Sequence, residues 1–524
     1  MRWLRPQKKI RKSEHARGMR VLEIEGVFSN AMLVMTTGPI LVGFALHLGA
    51  SNIVIGLLAS IVPLAQVAQI PSIFLVEHTR QRKVLTLSSA FLSRLILFGV
   101  AALPWVVPGT WVIPLLVLTY VVHFSLVNVA TCAWNSWVRD FLYVETLNAF
   151  FSRRLTWATL SAAGVGVAAG VGIDAFARVT GDAMPAYTII FVLAGVFGMI
   201  STTLMTRVPE PAMPDAPEVE MRKVLREPFR DLRFRKLLIF LGAWNFAIFF
   251  AAPFYPVYLI YRLELSMTWV LGLTVLSQLF NVVFFRVWGR MSDRFSDKAV
   301  LSLTVPLFYV TLLIWPFATL PEKYVLTLPL VILIHALAGM ATAGVALCSG
   351  NLALKLAPYG KAASYLAVNA MVSGVAGTVS PLLAGFVAEW FRSYELELAL
   401  SWTHLPSATV GWEVPTFNLR GLDFLFLIAF VLGLISLWRL AAVEEHGAVK
   451  ERVVQRQFFS EMGRMVREVG SVEGLRQLTY LPYSLLRQTG IARQDKWERQ
   501  RAQAEMPPAP EPEGGDFHRP AGPM

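Results

Sequence analysis

Two histidines and a set of amides and hydroxyls stand inside the long apolar stretches of this 524-residue chain. Hydrogen bonding is the chemistry they offer, and His123 and His335 can also titrate near neutral pH. Asn128 and Asn135 are seven residues apart, which puts them on one face of a helix with Thr131 beside them. Asn30 and Thr37 repeat that spacing. Gln66 with Gln69, and Gln278 with Asn281, form close pairs. Trp244 and Asn245 are adjacent, and Tyr255 and Tyr258 follow where Pro253 and Pro256 bend the chain. Such groups can bind a polar solute within a membrane. They can equally hold helices together, at about 0.6 kcal/mol per bond.

Charge is scarce in the same stretches. Arg94 falls in the middle of one, where a structural partner or a snorkelling side chain explains it. Glu23 and Glu25 open the first stretch, and either complement a helix N-terminus or bind a coupling ion. No acid lies mid-stretch, which argues against a carboxylate proton relay and against export of cationic drugs. Uniport, coupling through histidine, and an uncharged or amphipathic substrate all fit. No phosphate-cradling Gly-Lys-Ser/Thr loop, His-Glu-x-x-His or Cys-x-x-Cys occurs, so neither an enzyme, a metal site, a cofactor nor ATP-driven transport is expected.

The elements that must position these residues are membrane helices. Residues are 55% hydrophobic and only 16% charged, against roughly 25% charged in soluble domains. Runs such as 53–76 and 111–133 contain no Lys, Arg, Asp or Glu. About 20 apolar residues cross a bilayer core. Spans are expected near 24–47, 52–76, 84–106, 111–138, 154–177 and 186–205, then near 237–260, 268–290, 299–320, 324–352, 362–389 and 420–442. Of the 47 Lys and Arg, only Arg178, Arg262, Lys323, Arg392 and Arg420 fall on one face, with Arg94 inside a span. The rest share the face of both termini, which the positive-inside bias makes cytoplasmic. The net charge of +12 is thus a topology signal and not a nucleic-acid signal.

The expected organisation is a basic N-terminal segment 1–23, a six-helix half 24–205, a cytoplasmic linker 206–236, a second six-helix half 237–442 and a basic amphipathic tail 443–503. A Pro-, Glu- and Gly-rich end, 504–524, is expected to be disordered. Within the linker, Met221–Lys236 reads as a basic surface helix, and 448–488 in the tail as another. Shifting the chain by 216 residues carries Gly26 onto Gly242, Gly56 onto Gly272, Cys132 onto Cys348 and Asn135 onto Asn351. The two halves therefore read as one repeat, with a substrate at their interface.

After span 8 the chain reads Gly289-Arg-Met-Ser-Asp293-Arg294-Phe-Ser296-Asp-Lys298. This resembles the signature loop of the major facilitator superfamily, with Ser296 where a glycine is usual. Glu77-His-Thr-Arg80-Gln-Arg82-Lys83 resembles a degenerate first copy, and Gly377-x-x-x-Pro381-x-x-x-Gly385 resembles the family's helix-packing element. The resemblance implies an all-α membrane fold of about twelve helices in two pseudo-symmetric halves. It implies that spans 1, 4, 7 and 10 line a central cavity, and that Gly289, Asp293, Arg294 and Lys298, with Glu77 and Arg82, act in gating. Asp293 would latch the outward-open state against the start of span 11, around Lys361–Ser364.

These readings converge on a monomeric secondary or facilitative transporter in the cell membrane. It would move a small solute by alternating access, with H+ a candidate coupling ion and the lipid bilayer its other partner. The rival is a protein of the same fold that serves as an assembly or sensing factor. A cavity lined by polar groups favours transport, and one filled by Phe and Leu favours the rival.

Overall fold

The computed structural model describes residues 6–7, 10–213, 221–319, 322–358, 361–404 and 409–445. The expected helix at 448–488 and the end segment 504–524 lie outside them. Among the described residues, twelve helices are long and apolar enough to cross a membrane. Spans 1 to 6 are Lys12–His47, Asn52–Thr79, Arg82–Val106, Gly109–Phe141, Phe150–Thr180 and Met184–Met205. Spans 7 to 12 are Leu232–Arg262, Met267–Arg294, Asp297–Ala318, Thr327–Leu356, Ser364–Ser393 and Leu422–Ala441.

Several helices outrun their apolar cores because their ends are packed. Span 1 begins at Lys12, and its first turns put Met19 and Leu22 against Trp137, Phe141, Phe150 and Val208. The surface helix of the linker is shorter than expected. It runs Met221–Arg230, and Asp231 then caps span 7 by accepting from the backbone of Arg233 and Phe234. Proline explains the interruptions. Span 1 breaks at Thr37, before Gly38 and Pro39. Span 2 tightens into a 3-10 turn at Gln66–Ala68, just past Pro63. Span 7 passes through 3-10 and π turns around Pro253 and Pro256.

Each half is pinned at the face that bears the linker, here called the basic face. In the first half, Arg82 is fully buried at the start of span 3. It bonds Asp140 (2.5 Å), the carbonyls of Ser136 and Pro211, and Glu210. Lys83 donates to the carbonyls of Thr206 and Val208. Burial pushes the Glu210 carboxyl above the usual range, although Arg82 pulls against it. In the second half the signs are exchanged. Buried Asp297 opens span 9 and binds Lys355 (2.6 Å), Asn351 (3.2 Å) and Ser292 (2.5 Å). Lys298 donates to the carbonyls of Ala441 and Val443.

Beyond span 11 the opposite face carries an element that the hydropathy reading does not anticipate. Strands β1 (Glu395–His404) and β2 (Thr409–Arg420) pair antiparallel, from Glu395 opposite Arg420 to His404 opposite Thr409. Hydrogen bonds from Arg420 and Asn418 hold the Glu395 carboxyl below its usual range.

Close helix packing rests on glycine where backbones touch. A Cβ at Gly339 would meet the Ser277 carbonyl oxygen at 2.1 Å, whereas one at Gly272 meets nothing within 4 Å. Gly339→Ala should therefore lower the Tm of the purified protein, at a cost of about 1–3 kcal/mol, while Gly272→Ala leaves it unchanged. Equal melting of the two variants in a thermal-shift assay would contradict the packing of span 8 on span 10.

Candidate functional site

The two halves meet along two seams. Span 2 packs on span 11, and span 5 on span 8. Both contacts are tightest at the face opposite the linker. At the first seam a Cβ on Gly56 would lie 2.2 Å from the Pro381 carbonyl oxygen, and Gly385 sits against Asn52 and Ile53. The packing element at 377–385 thus does what its glycines suggest. At the second seam Gly170 lies against Met267 and Thr268.

A carboxylate closes each seam. Glu389, at the end of span 11, accepts from the backbone N–H of Asn52 at the start of span 2 (3.0 Å). Asp174, near the end of span 5, accepts from the backbone N–H groups of Met267 (2.9 Å) and Thr268 (2.7 Å) at the start of span 8. Each acid satisfies donors that a helix N-terminus leaves without intrahelical partners. The 216-residue shift carries Asn52 onto Thr268 and brings Asp174 within one residue of Glu389. The two caps are thus copies of one device, each reaching from one half to the other. A cavity of about 530 Å³ lies beside the first cap, lined by Asn52, Tyr261, Arg262, Glu389, Arg392 and Arg420.

Toward the basic face the second half presents a polar cleft of about 260 Å³. Span 7 contributes Leu241, Trp244, Asn245 and Ile248; span 10 contributes Thr342, Val345, Ala346 and Ser349; span 11 contributes Asn369 and Ser373. Asn245 donates to Ser373 Oγ (2.9 Å) and to the Leu241 carbonyl (2.8 Å). Asn281, on span 8, reaches behind to Thr342 Oγ1 (3.1 Å). Gln66 of span 2 lies across the seam, its Oε1 3.9 Å from where a Cβ of Gly374 would be. Sequence reading finds Trp244, Asn245 and Asn281 here but misses Asn369, Ser373, Thr342 and Ser349. The available signal was polar spacing on spans 10 and 11, where Asn369 and Ser373 share a helix face as do Thr342 and Ser349.

The other candidates divide. Gln69 donates to Asn128 (2.8 Å), so this pair is satisfied within the first half. Asn30, Thr37 and Thr131 bond back to carbonyls of their own helices. Asn135 and Gln278 are exposed. His123 does not face a water path. It is 1% exposed and its Nδ1 bonds the Ser93 carbonyl (2.8 Å), because span 4 turns that side toward span 3 and Arg94. Tyr258 is buried against Trp315, Tyr255 stacks on the same ring, and His335 meets its edge. This aromatic cluster is packing. Glu25 is buried, with its carboxylate on Arg154 (2.8 Å) and Ser201 (2.8 Å), away from the cleft.

The signature loop also departs from expectation. Asp293 is exposed in the last turn of span 8 and, among the described residues, makes no hydrogen bond or ion pair; Glu77 is exposed likewise. The start of span 11 is held by other acids, Lys361 by Glu227 and Tyr365 by Asp231. Span 8 runs beside span 5, and it is span 2 that runs beside span 11. The helix start across the seam from Asp293 therefore belongs to span 5, and the partner expected at 361–364 is corrected accordingly. A Cβ at Gly289 would meet Leu347 only at 3.8 Å, an ordinary contact, Arg294 lies over the Phe295 ring, and Arg82 and Lys298 are the structural pins described above.

Twelve spans in two repeated halves, seamed on one face and cleft on the other, define a membrane transporter. The Major Facilitator Superfamily model matches residues 26–381 and, in an overlapping second match, 273–482, and the chain belongs to that superfamily of secondary transporters. A mutant of the nucleoside transporter NupG superposes with a TM-score of 0.62 at 12% identity, over 82% of this chain and 100% of that one. A bacterial homolog of the human lysosomal transporter Spinster, inward-facing and unoccupied, gives 0.59 at 13%, over 83% and 98%. A D-xylose–proton symporter gives 0.56 at 12%, over 83% and 98%. At these identities the likeness is one of fold. No curated protein matches the chain in sequence.

Accessibility separates exposed from packed polar residues. In a background lacking Cys132 and Cys348, Asn135→Cys should react with a polar maleimide and His123→Cys should stay protected. Comparable labelling of both would overturn the packing of span 4 against span 3.

Proposed function

We propose that the chain carries a small solute by alternating access in the cell membrane, with both termini cytoplasmic, and that the conformation described is the inward-open one. The observation that carries this reading is the pair of carboxylate caps. They tie the halves together on the face poor in Lys and Arg, while the cleft of spans 7, 10 and 11 lies nearer the basic ends of those helices. The positive-inside bias makes that basic face cytoplasmic. The amide and hydroxyl lining of the cleft favours transport over a purely structural or sensing role. Asp293 is unlatched here because its seam is open on that side. Closing the cytoplasmic side would bring it to the start of span 5, where a helix N-terminus attracts a carboxylate.

The caps make the equilibrium testable. Each carboxylate on a helix N-terminus contributes about 0.3–1 kcal/mol when exposed and up to about 2 when partly buried. Replacing both, as Asp174→Asn with Glu389→Gln, should shift the ratio of inward-open to outward-open protein about tenfold, since about 1.4 kcal/mol is a factor of ten. Spin labels on Ser51→Cys and Tyr394→Cys would report the change as a longer distance population, and exchange of solute in proteoliposomes should change with it. An unaltered distance distribution together with unaltered exchange would remove the caps from the gate.

A further inference from the structure

We infer that the solute is small and uncharged, and that it carries groups able both to donate and to accept hydrogen bonds, such as ring hydroxyls or a carboxamide. This rests on the transport reading above and narrows it to a substrate class. None of the residues lining the cleft bears a charge. A charged solute would leave water for a wall of amides, hydroxyls and carbon, at a cost that no lining group offsets.

The hydrogen-bonding capacity left in the cleft is mixed. Asn369 Oδ1 is buried and has no hydrogen-bond partner among the described residues. A buried acceptor in that state is destabilising unless something supplies a donor. Asn245 commits its amide hydrogens to Leu241 and Ser373, and no described group occupies its own Oδ1. Ser373 accepts from Asn245 and retains a proton to give. Thr342 is spent, since it donates to the Ala338 carbonyl and accepts from Asn281. Two acceptors and a hydroxyl donor thus line the cleft, a pattern that a hydroxyl or carboxamide satisfies and a carboxylate does not; an ammonium finds acceptors here but no anionic group to offset its lost hydration. Trp244, Ile248 and Val345 supply an apolar wall for the carbon skeleton. At about 260 Å³ the cleft lies below the usual range of roughly 300–1,000 Å³ for drug-sized ligands, so the solute is small. In the first half, by contrast, Asn128 accepts from Gln69 and donates to the Phe124 carbonyl.

The test uses the full-length protein, with thermal shift in detergent and counterflow in proteoliposomes. The neutral probes are D-glucose, ribitol and uridine, and the charged ones are glutamate, lysine and choline. At least one neutral probe should raise the Tm and support counterflow, and no charged probe should do either. Asn369→Leu should weaken that response at least tenfold while leaving the Tm of the unliganded protein unchanged or higher, because it removes an unpaired acceptor. Ser373→Ala, which deletes one hydroxyl, should weaken it in the same direction. A charged probe that both stabilises and exchanges overturns the inference. So does undiminished affinity in both variants. A lower unliganded Tm for Asn369→Leu, with Ser373→Ala binding normally, would make Asn369 a packing residue and overturn it as well. Failure of every probe to exchange, charged and neutral alike, would strike the transport reading itself and take the inference with it.

Discussion

A helix beginning at a membrane surface exposes backbone N–H groups that its own turns cannot bond, and in this protein the donors at two such ends are satisfied from the other half of the molecule. Asp174 serves span 8 and Glu389 serves span 2. The close approach of Gly56 to Pro381 and of Gly170 to Met267 follows from this arrangement, because the caps draw the same helix ends together. Parting the seams means exchanging each charge-assisted bond for water. The penalty is modest, as befits a contact that must break and re-form.

Within each half the electrostatics are of another kind. Arg82 with Asp140 and Glu210, Asp297 with Lys355 and Asn351, and Glu25 with Arg154 and Ser201 each centre on a buried charge, although Asp140 and Lys355 themselves reach solvent. Losing one partner of a buried pair costs about 3–5 kcal/mol, because the survivor is stranded. Such clusters do not open at each turn of a cycle. They make the halves rigid, and strong pairs inside the halves with weaker caps between them are what a rocking motion requires. The junction of spans 8 and 9 contains both kinds: Asp297 and Lys298 are pinned, while Asp293 faces solvent.

The architecture was legible because hydrocarbon admits few alternatives: twelve apolar runs and a one-sided distribution of Lys and Arg leave little to decide. Site residues were legible only in part. Asn245 and Asn281 were found because amides in apolar helices are conspicuous, but rotation about the helix axis decides whether such a group meets a cavity or a neighbour. His123 meets span 3 for that reason. Asn369 and Ser373 were passed over because span 11 was read for its Gly and Pro spacing. Glu25 was read as a helix-end charge because the apolar run starts there, while the helix itself starts at Lys12. The caps were missed because each joins residues far apart in sequence. The hairpin announced itself faintly, in the alternation of Glu395, Leu396, Glu397 and Leu398, a period of two that a hydropathy window averages away.

One contact at the basic face bears on how the chain is made. The backbone of Gln7 pairs with the segment around Glu210 and Pro211, with N–H to carbonyl bonds of 2.8 Å and 3.0 Å on either side. Lys83 and Trp137 grip the carbonyls of Thr206, Val208 and Pro209 in the same stretch. The N-terminal segment can therefore dock only after six spans have left the ribosome and the seventh is about to follow. Once docked, it fastens the start of the linker to the first half.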